Sequence, residues 1–246
     1  MQQDRVVVIT GAAGGMGSAM VQRFLANQDR VIAADIKEEG LADLRKKQNA
    51  NKKLLTAVTD ISKEESCNRL AELTREKVGR VDVLINCAGY FPIHRFEEMT
   101  PDQWRHVVEI NLTGHFFMIR AMLPLTKGRG WGRIINIGSA SVFVGVPGQA
   151  HYVAAKAGVV GLSRTLAREF GDYGITVNVI APGLTMTPPV RDHFPAEMIK
   201  EQREARALKR DEQARDLVGT AFFLASPDAD FLTGQIINVD GGSQMH

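Results

Sequence analysis

Short runs of β-branched and aliphatic residues alternate along the chain with longer segments whose apolar positions recur at helical spacing. Val6-Val7-Val8-Ile9 is such a run, and Arg133-Ile134-Ile135-Asn136-Ile137 is another. The apolar runs predict strands at residues 5–10, 30–35, 53–58, 81–86, 132–138, 176–181 and 235–239. The segments between them predict helices at 15–27, 38–48, 63–78, 101–126, 151–170 and 212–225. Thr100-Pro101 supplies a capping hydroxyl and a first-turn proline where the fourth of these begins. Strand and helix in strict alternation imply an α/β fold, a doubly wound parallel sheet of about seven strands with helices on both faces. No linker-like tract or compositional break divides residues 1–246, so one domain is expected. Residues 184–210 are the irregular stretch: Thr185-Met186-Thr187-Pro188-Pro189 followed by a charged, helix-prone run. Such an insert leaves the carboxyl end of a late strand, where ligands bind in sheets of this kind, and reads as a substrate loop or mobile lid.

Composition narrows the functional classes. The chain is 44% hydrophobic and 24% charged, with a formal net charge of +2 from 30 basic and 28 acidic residues. That balance offers no concentrated basic surface for nucleic acid or an anionic membrane. Cys67 and Cys87 lack metal-ligand spacing and read as reduced thiols, so no metal is expected. The first five residues run straight into a strand, unlike a leader, and no stretch reaches the roughly 18 apolar residues of a membrane span. A cytoplasmic protein is expected.

The first strand runs into Thr10-Gly11-Ala12-Ala13-Gly14-Gly15-Met16-Gly17 and then a helix. Glycines let the backbone turn tightly and let a diphosphate approach, while the helix N-terminus offers free amides and a positive dipole. In the first strand-to-helix connection this arrangement marks a Rossmann-type dinucleotide site. The second strand ends at Asp35, whose carboxylate can accept both ribose hydroxyls of an adenosine and repels a 2′-phosphate. The turn carries no Arg or Lys to bind such a phosphate, although Lys37 lies nearby. Both features favour NAD over NADP.

Tyr152 and Lys156 stand four apart in a predicted helix and so share one face. A fixed positive charge near a phenol is expected to lower its pKa from about 10 toward neutrality, making a general acid/base. Ser139 follows a strand end, where its hydroxyl can bond a substrate oxygen whose charge changes during hydride transfer, and Ser141 is the rival hydroxyl.

With these residues in order, the chain resembles the short-chain dehydrogenase/reductase family over essentially its whole length, in its NAD-preferring, alcohol-oxidising type. Thr10–Gly17 is similar to the family's glycine turn, and Asp60 to its adenine-contacting Asp. Asn86-Cys87-Ala88-Gly89 is similar to its Asn-Asn-Ala-Gly, with Cys87 as the departure. Pro182-Gly183 and Thr187 are similar to its nicotinamide-side segment, and Asp240-Gly241-Gly242 to its closing motif. The resemblance implies a catalytic tetrad of Asn111, Ser139, Tyr152 and Lys156. Tyr152 would exchange the proton, Ser139 would orient the oxygen, Lys156 would hold the nicotinamide ribose and Asn111 would hold a relay water. It implies a cofactor site of Gly11, Gly15, Met16, Gly17, Asp35, Ile36, Asp60, Ile61, Asn86, Ala88, Gly89, Tyr152, Lys156, Pro182, Gly183, Leu184 and Thr187.

The expected activity is NAD-dependent interconversion of a secondary alcohol and a ketone. Tyr90, Phe91, Ile93, His94, Val142, Phe143, Val144 and Met186 follow strand ends and suggest an apolar substrate pocket. The family's usual tetramer packs through the helices at 101–126 and 151–170, so a homotetramer is implied. Two alternatives stand beside this. One is an NADPH-dependent 3-oxoacyl thioester reductase, which Arg203, Arg206, Lys209 and Arg210 would serve as a carrier-docking patch. The other is a cofactor-binding regulator without turnover.

Overall fold

The protein is described by a computed structural model over residues 4–245; residues 1–3, expected above not to be part of a leader, and His246 lie outside it. The strands are β1 (Val6–Thr10), β2 (Arg30–Asp35), β3 (Leu54–Val58), β4 (Val83–Asn86), β5 (Gly132–Ile137), β6 (Ile175–Pro182) and β7 (Ile236–Val239). They form one sheet in the order β3-β2-β1-β4-β5-β6-β7, every pair parallel. The order reverses between β1 and β4, which opens a crevice at their carboxyl ends.

The two-residue period of β1 shows why the sheet is covered on both sides. Val7 and Ile9 enter one core with α1 (Gly15–Ala26), α2 (Glu38–Lys47) and α10 (Ala214–Leu224). Val6 and Val8 enter the other with α3 (Glu64–Val78), α5 (Gly114–Thr126) and α7 (Ala150–Glu169). Met20 and Phe24 of α1 are fully buried, each such side chain contributing about 1.5–3 kcal/mol. The remaining helices are α4 (Pro101–Val108), α6 (Ser141–Val144), α8 (Pro188–His193) and α9 (Ala196–Ala205), the last two within the 184–210 insert.

Two expected helices differ in form. The helix expected over 101–126 begins as foreseen, with the Thr100 hydroxyl accepting from Gln103 N and Pro101 in the first turn. It is then broken by a π-helical turn, Glu109–Thr113, between α4 and α5. Asn111 causes this: its Nδ2 donates to the Val107 carbonyl (2.9 Å) and to the Tyr90 carbonyl (2.6 Å), while its Oδ1 accepts from Tyr90 N (3.2 Å). A side chain that takes the carbonyl four residues back displaces the backbone ladder into a wider turn. The last helix starts at Ala214 rather than at 212, because Glu212 is drawn into a parallel β-bridge with Thr185.

Candidate active site

The crevice is a cleft of about 900 Å³. Gly11, Gly15, Met16, Gly17, Asp35, Ile36, Asp60, Ile61, Ala88, Gly89 and Thr187 all line it. The glycine turn is built for close approach. Gly11 has φ +64°, and a Cβ there would stand 2.7 Å from the Ala88 Cα; one on Gly17 would meet the Gly11 carbonyl. The Thr10 hydroxyl ties the turn to β4 by accepting the amides of Cys87 (3.0 Å) and Ala88 (3.2 Å). Backbone thus lines the cleft where side chains would fill it, as a dinucleotide requires.

Asp35 accepts the Ala13 amide on Oδ2 (2.9 Å) and the Lys37 amide on Oδ1 (3.0 Å). It does not cap α2, whose N-cap Lys37 receives no side-chain cap. A carboxylate offers about four acceptor sites, so two stay open toward the cleft for ligand hydroxyls. Asp60 is held by the Ser62 amide (2.9 Å) and hydroxyl (2.7 Å), both on Oδ1.

The opposite end is assembled from distant elements. The Ser139 hydroxyl lies near enough to the Tyr152 phenol to lower its pKa, and the Ser139 oxygen pairs with Ser141 Oγ at 2.8 Å. Ser141, the rival hydroxyl, is thus hydrogen-bonded to Ser139. Lys156 Nζ lies 5.7 Å from the Tyr152 ring centre and donates to the Ile137 carbonyl at the end of β5 (2.7 Å). Asn111 Oδ1 and Lys156 Nζ both border Gly89, 3.0 and 3.7 Å from where a Cβ would sit. None of these four lines the cleft itself; Asn111 and Lys156 border Gly89, and Tyr152 borders Phe91, both of which do. The Phe91 ring stands between Tyr152 (6.2 Å) and Phe194 of the insert (6.1 Å), centroid to centroid. An apolar wall thus faces the phenol.

The charge states differ from the sequence expectation. Burial pushes the Tyr152 phenol up to about 12, with the Ser139 hydrogen bond pulling partly the other way. Burial pushes the Lys156 ammonium down to about 8. Lys156 at this distance, its ammonium engaged by a carbonyl, does not acidify the phenol in the chain alone. Desolvation disfavours charge on both groups.

Besides Tyr152 and Lys156, four expected cofactor residues do not line the cleft. Asn86 is buried; its Nδ2 donates to Asn136 Oδ1 across the β4–β5 ladder (2.8 Å), and Asn136 Nδ2 donates to Ser163 Oγ on α7 (2.9 Å). Pro182 accepts the Ala140 amide, Gly183 donates to Glu212, and Leu184 accepts from Arg206. Cys87 does not join the Asn86–Asn136 bond, and burial pushes its thiol up to about 12, as it does that of Cys67. His94 and His151 form an edge-to-face pair 5.7 Å apart. Sequence reasoning missed Asn136, His115 and Glu212. Burial holds the His115 ring well below the ordinary histidine range, with the Lys156 charge adding to the effect. A polar residue within an apolar strand or helix was the available signal for the first two. No group of three metal-ligating side chains occurs among the described residues, and no helix there is long and apolar enough to cross a membrane.

A glycine-lined cleft at the switch point of a doubly wound parallel sheet defines the class, a Rossmann-type dinucleotide-binding protein. Residues 11–244 match the family described as enoyl-(acyl carrier protein) reductase. The chain belongs to the short-chain dehydrogenase/reductase family, oxidoreductases that use nicotinamide cofactors. It is 38% identical over 248 residues to the 2,3-dihydroxy-2,3-dihydro-p-cumate dehydrogenase of Pseudomonas putida, covering 99% of this chain and 95% of that protein. It is 35% identical over 247 residues to the 3-oxoacyl-(acyl-carrier-protein) reductase FabG of Salmonella typhimurium, covering 99% and 98%. Among solved structures, a glucose/ribitol dehydrogenase of the same family from Brucella melitensis superposes with a TM-score of 0.94 at 30% identity, covering 99% of this chain and 98% of that one.

Proposed function

We propose that the protein is an NAD-dependent oxidoreductase interconverting a ring-bearing secondary alcohol and its ketone, with Tyr152 as the general acid/base. The observation that carries the reading is the convergence of Ser139, Tyr152 and Lys156 next to a glycine-lined cleft. The nicotinamide, when bound, supplies or accepts the hydride. The chain's own residues handle the proton and the oxygen. With its phenol protonated at neutral pH, Tyr152 donates a proton to a carbonyl oxygen, and Ser139 donates a second hydrogen bond to the same atom. Lys156, its ammonium placed at the end of β5, would hold the nicotinamide ribose. Asn111, locked on the Tyr90 main chain, holds the relay water. The run from Gly183 to Thr187 closes the nicotinamide side.

Asp35 supports NAD, because its carboxylate faces the cleft where a 2′-phosphate would bring a second negative charge. Phe91, Phe194 and Ile93 support a ring-bearing substrate, in keeping with the dihydrodiol named for the Pseudomonas relative. A homotetramer packed through α4, α5 and α7 belongs to the same proposal and is checked by light scattering.

The second reading, an NADPH-dependent 3-oxoacyl thioester reductase, is favoured by the similarity to FabG. Against it, two of the four expected docking charges are paired, Arg203 with Asp211 and Arg210 with Asp216, Arg206 is buried, and Lys209 donates to the Glu204 carbonyl. A panel of cyclic alcohols, dihydrodiols and 3-oxoacyl thioesters, each with NAD(H) and NADP(H), separates the two at the absorbance of reduced nicotinamide. Turnover of a cyclic alcohol with NAD is expected. Thioester reduction with NADPH alone would overturn the first reading.

A further inference from the structure

We propose that Glu212 is a positioning residue for the nicotinamide end of the cleft, its buried carboxylate clamping the run 183–187 from behind. This rests on the dinucleotide reading above. Glu212 lies outside every motif discussed so far, and it is only 5% exposed. Its Oε2 accepts the Gly183 amide at 3.0 Å, and its Oε1 accepts the Thr185 hydroxyl at 2.6 Å. Its main-chain carbonyl accepts the Met186 amide at 2.8 Å, within the bridge that pairs Thr185 with Glu212. Three hold points therefore fall on Gly183, Thr185 and Met186.

A second group completes the clamp. The Arg206 guanidinium is buried, 3.8 Å from Glu212 Oε2. Its Nη2 donates to the Leu184 carbonyl (2.8 Å) and its Nη1 to the Arg210 carbonyl (2.9 Å). One side chain thereby ties together the two ends of the 184–210 insert. Asp240, the other carboxylate nearby, spends its oxygens on the amides of Gly242, Ser243 and Gln244.

The position of this run is transmitted to the cleft by Thr187. Its methyl group stands 2.8 Å from where a Cβ on Gly15 would lie, so the run abuts the glycine turn directly. Close packing of this kind passes a displacement on rather than absorbing it. Glu212 touches neither the cleft nor the reacting groups, and its influence passes through residues 183–187.

The test compares Glu212→Ala, Glu212→Gln and Thr185→Val. Gln keeps a carbonyl for the Gly183 amide and turns its NH2 toward the Thr185 hydroxyl, so it is the conservative rescue. Four quantities are read: the dissociation constant for NADH by nicotinamide fluorescence, hydrogen exchange at the amides of 183–187, Tm, and the KM for the alcohol. Loss of the charge-assisted bonds is expected to weaken NADH binding about tenfold in Glu212→Ala. The 183–187 amides should exchange faster, and the KM for the alcohol should move less than about threefold. Glu212→Gln should recover most of the binding. A purely structural role would lower Tm and the active fraction without moving the dissociation constant. Wild-type NADH affinity with unchanged exchange at 183–187 in Glu212→Ala would overturn the proposal. Should that variant fail to fold, Thr185→Val decides: about threefold weaker binding at unchanged Tm supports the clamp, and unchanged binding overturns it. If the wild-type chain binds no nicotinamide cofactor, the dinucleotide reading fails, and the exchange measurement alone judges the clamp.

Discussion

The two ends of the cleft are built by different means. The adenosine end is contiguous chain: one strand, one glycine turn, one helix start and the carboxylate that closes the neighbouring strand. Its contacts are mostly main chain, and Asp35 itself is bonded to two amides. The reaction end gathers Gly89 after β4, Asn111 in a π turn, Ser139 after β5 and Tyr152 and Lys156 on α7. There side chains rather than main chain converge, and burial shifts their pKa values. The phenol is pushed up and the amine down, the reverse of what their mutual attraction alone would do. Backbone sites follow from local geometry, whereas the protonation of a side-chain site is a property of everything packed around it.

Breaking the reaction end should have the largest effect. Tyr152→Phe removes the proton donor and is expected to lower kcat about 10³-fold, within the range for general acid/base groups. NADH affinity should stay within about twofold, as a fluorescence titration would read. Loss of binding together with turnover would mean that the two ends are not separable.

Glu212 shows burial tuning in a second carboxylate. Desolvation raises its pKa to about 7 from the ordinary 4.5, with Thr185, Arg206 and the Gly183 amide opposing. The folded state therefore holds the proton more tightly than the unfolded chain. This contribution to stability is fully present below about pH 4.5 and is lost as the pH rises through about 7. The shift sets an upper bound of about 3 kcal/mol. Tm measured from pH 4.5 to 8 should show that slope in the wild type and a flatter one in Glu212→Gln; parallel slopes would count against it.

The adenosine end should fail sterically instead. Gly17→Ala drives a methyl group into the Gly11 carbonyl and is expected to cost about 1–3 kcal/mol of stability. Denaturant unfolding measures it, and an unchanged midpoint would show that the turn can yield. The smallest change is one of preference. Asp35→Ser removes the charge that disfavours a 2′-phosphate and should shift the NAD/NADP ratio of kcat/KM about tenfold toward NADP.

Much of this was legible beforehand, and the reasons are local. β2 spans the expected 30–35, and β1, β3, β4, β5, β6 and β7 fall within two residues of their expected bounds, because a run of buried β-branched residues admits few other structures. The Thr100 cap and the glycine turn were equally readable, each being a few neighbouring residues with one geometric use. The π turn was not, because Asn111 distorts its helix only when Tyr90 is brought alongside. Nor was the role of Glu212, which followed the pattern of a helix start until Thr185 paired with it.

The sequence by itself determined the order of strands and helices, the glycine turn, the acidic end of β2 and the presence of a Tyr–Lys pair on one helical face. These depend on residues close in the chain, where spacing and backbone freedom suffice. Only the tertiary structure decided that Tyr152 packs beside Phe91, that Asn86 bonds Asn136 across the sheet, and that burial pushes the phenol's pKa up. Each of these depends on which distant groups share a dry interior, and desolvation there is strong enough to reverse what neighbouring charges would predict.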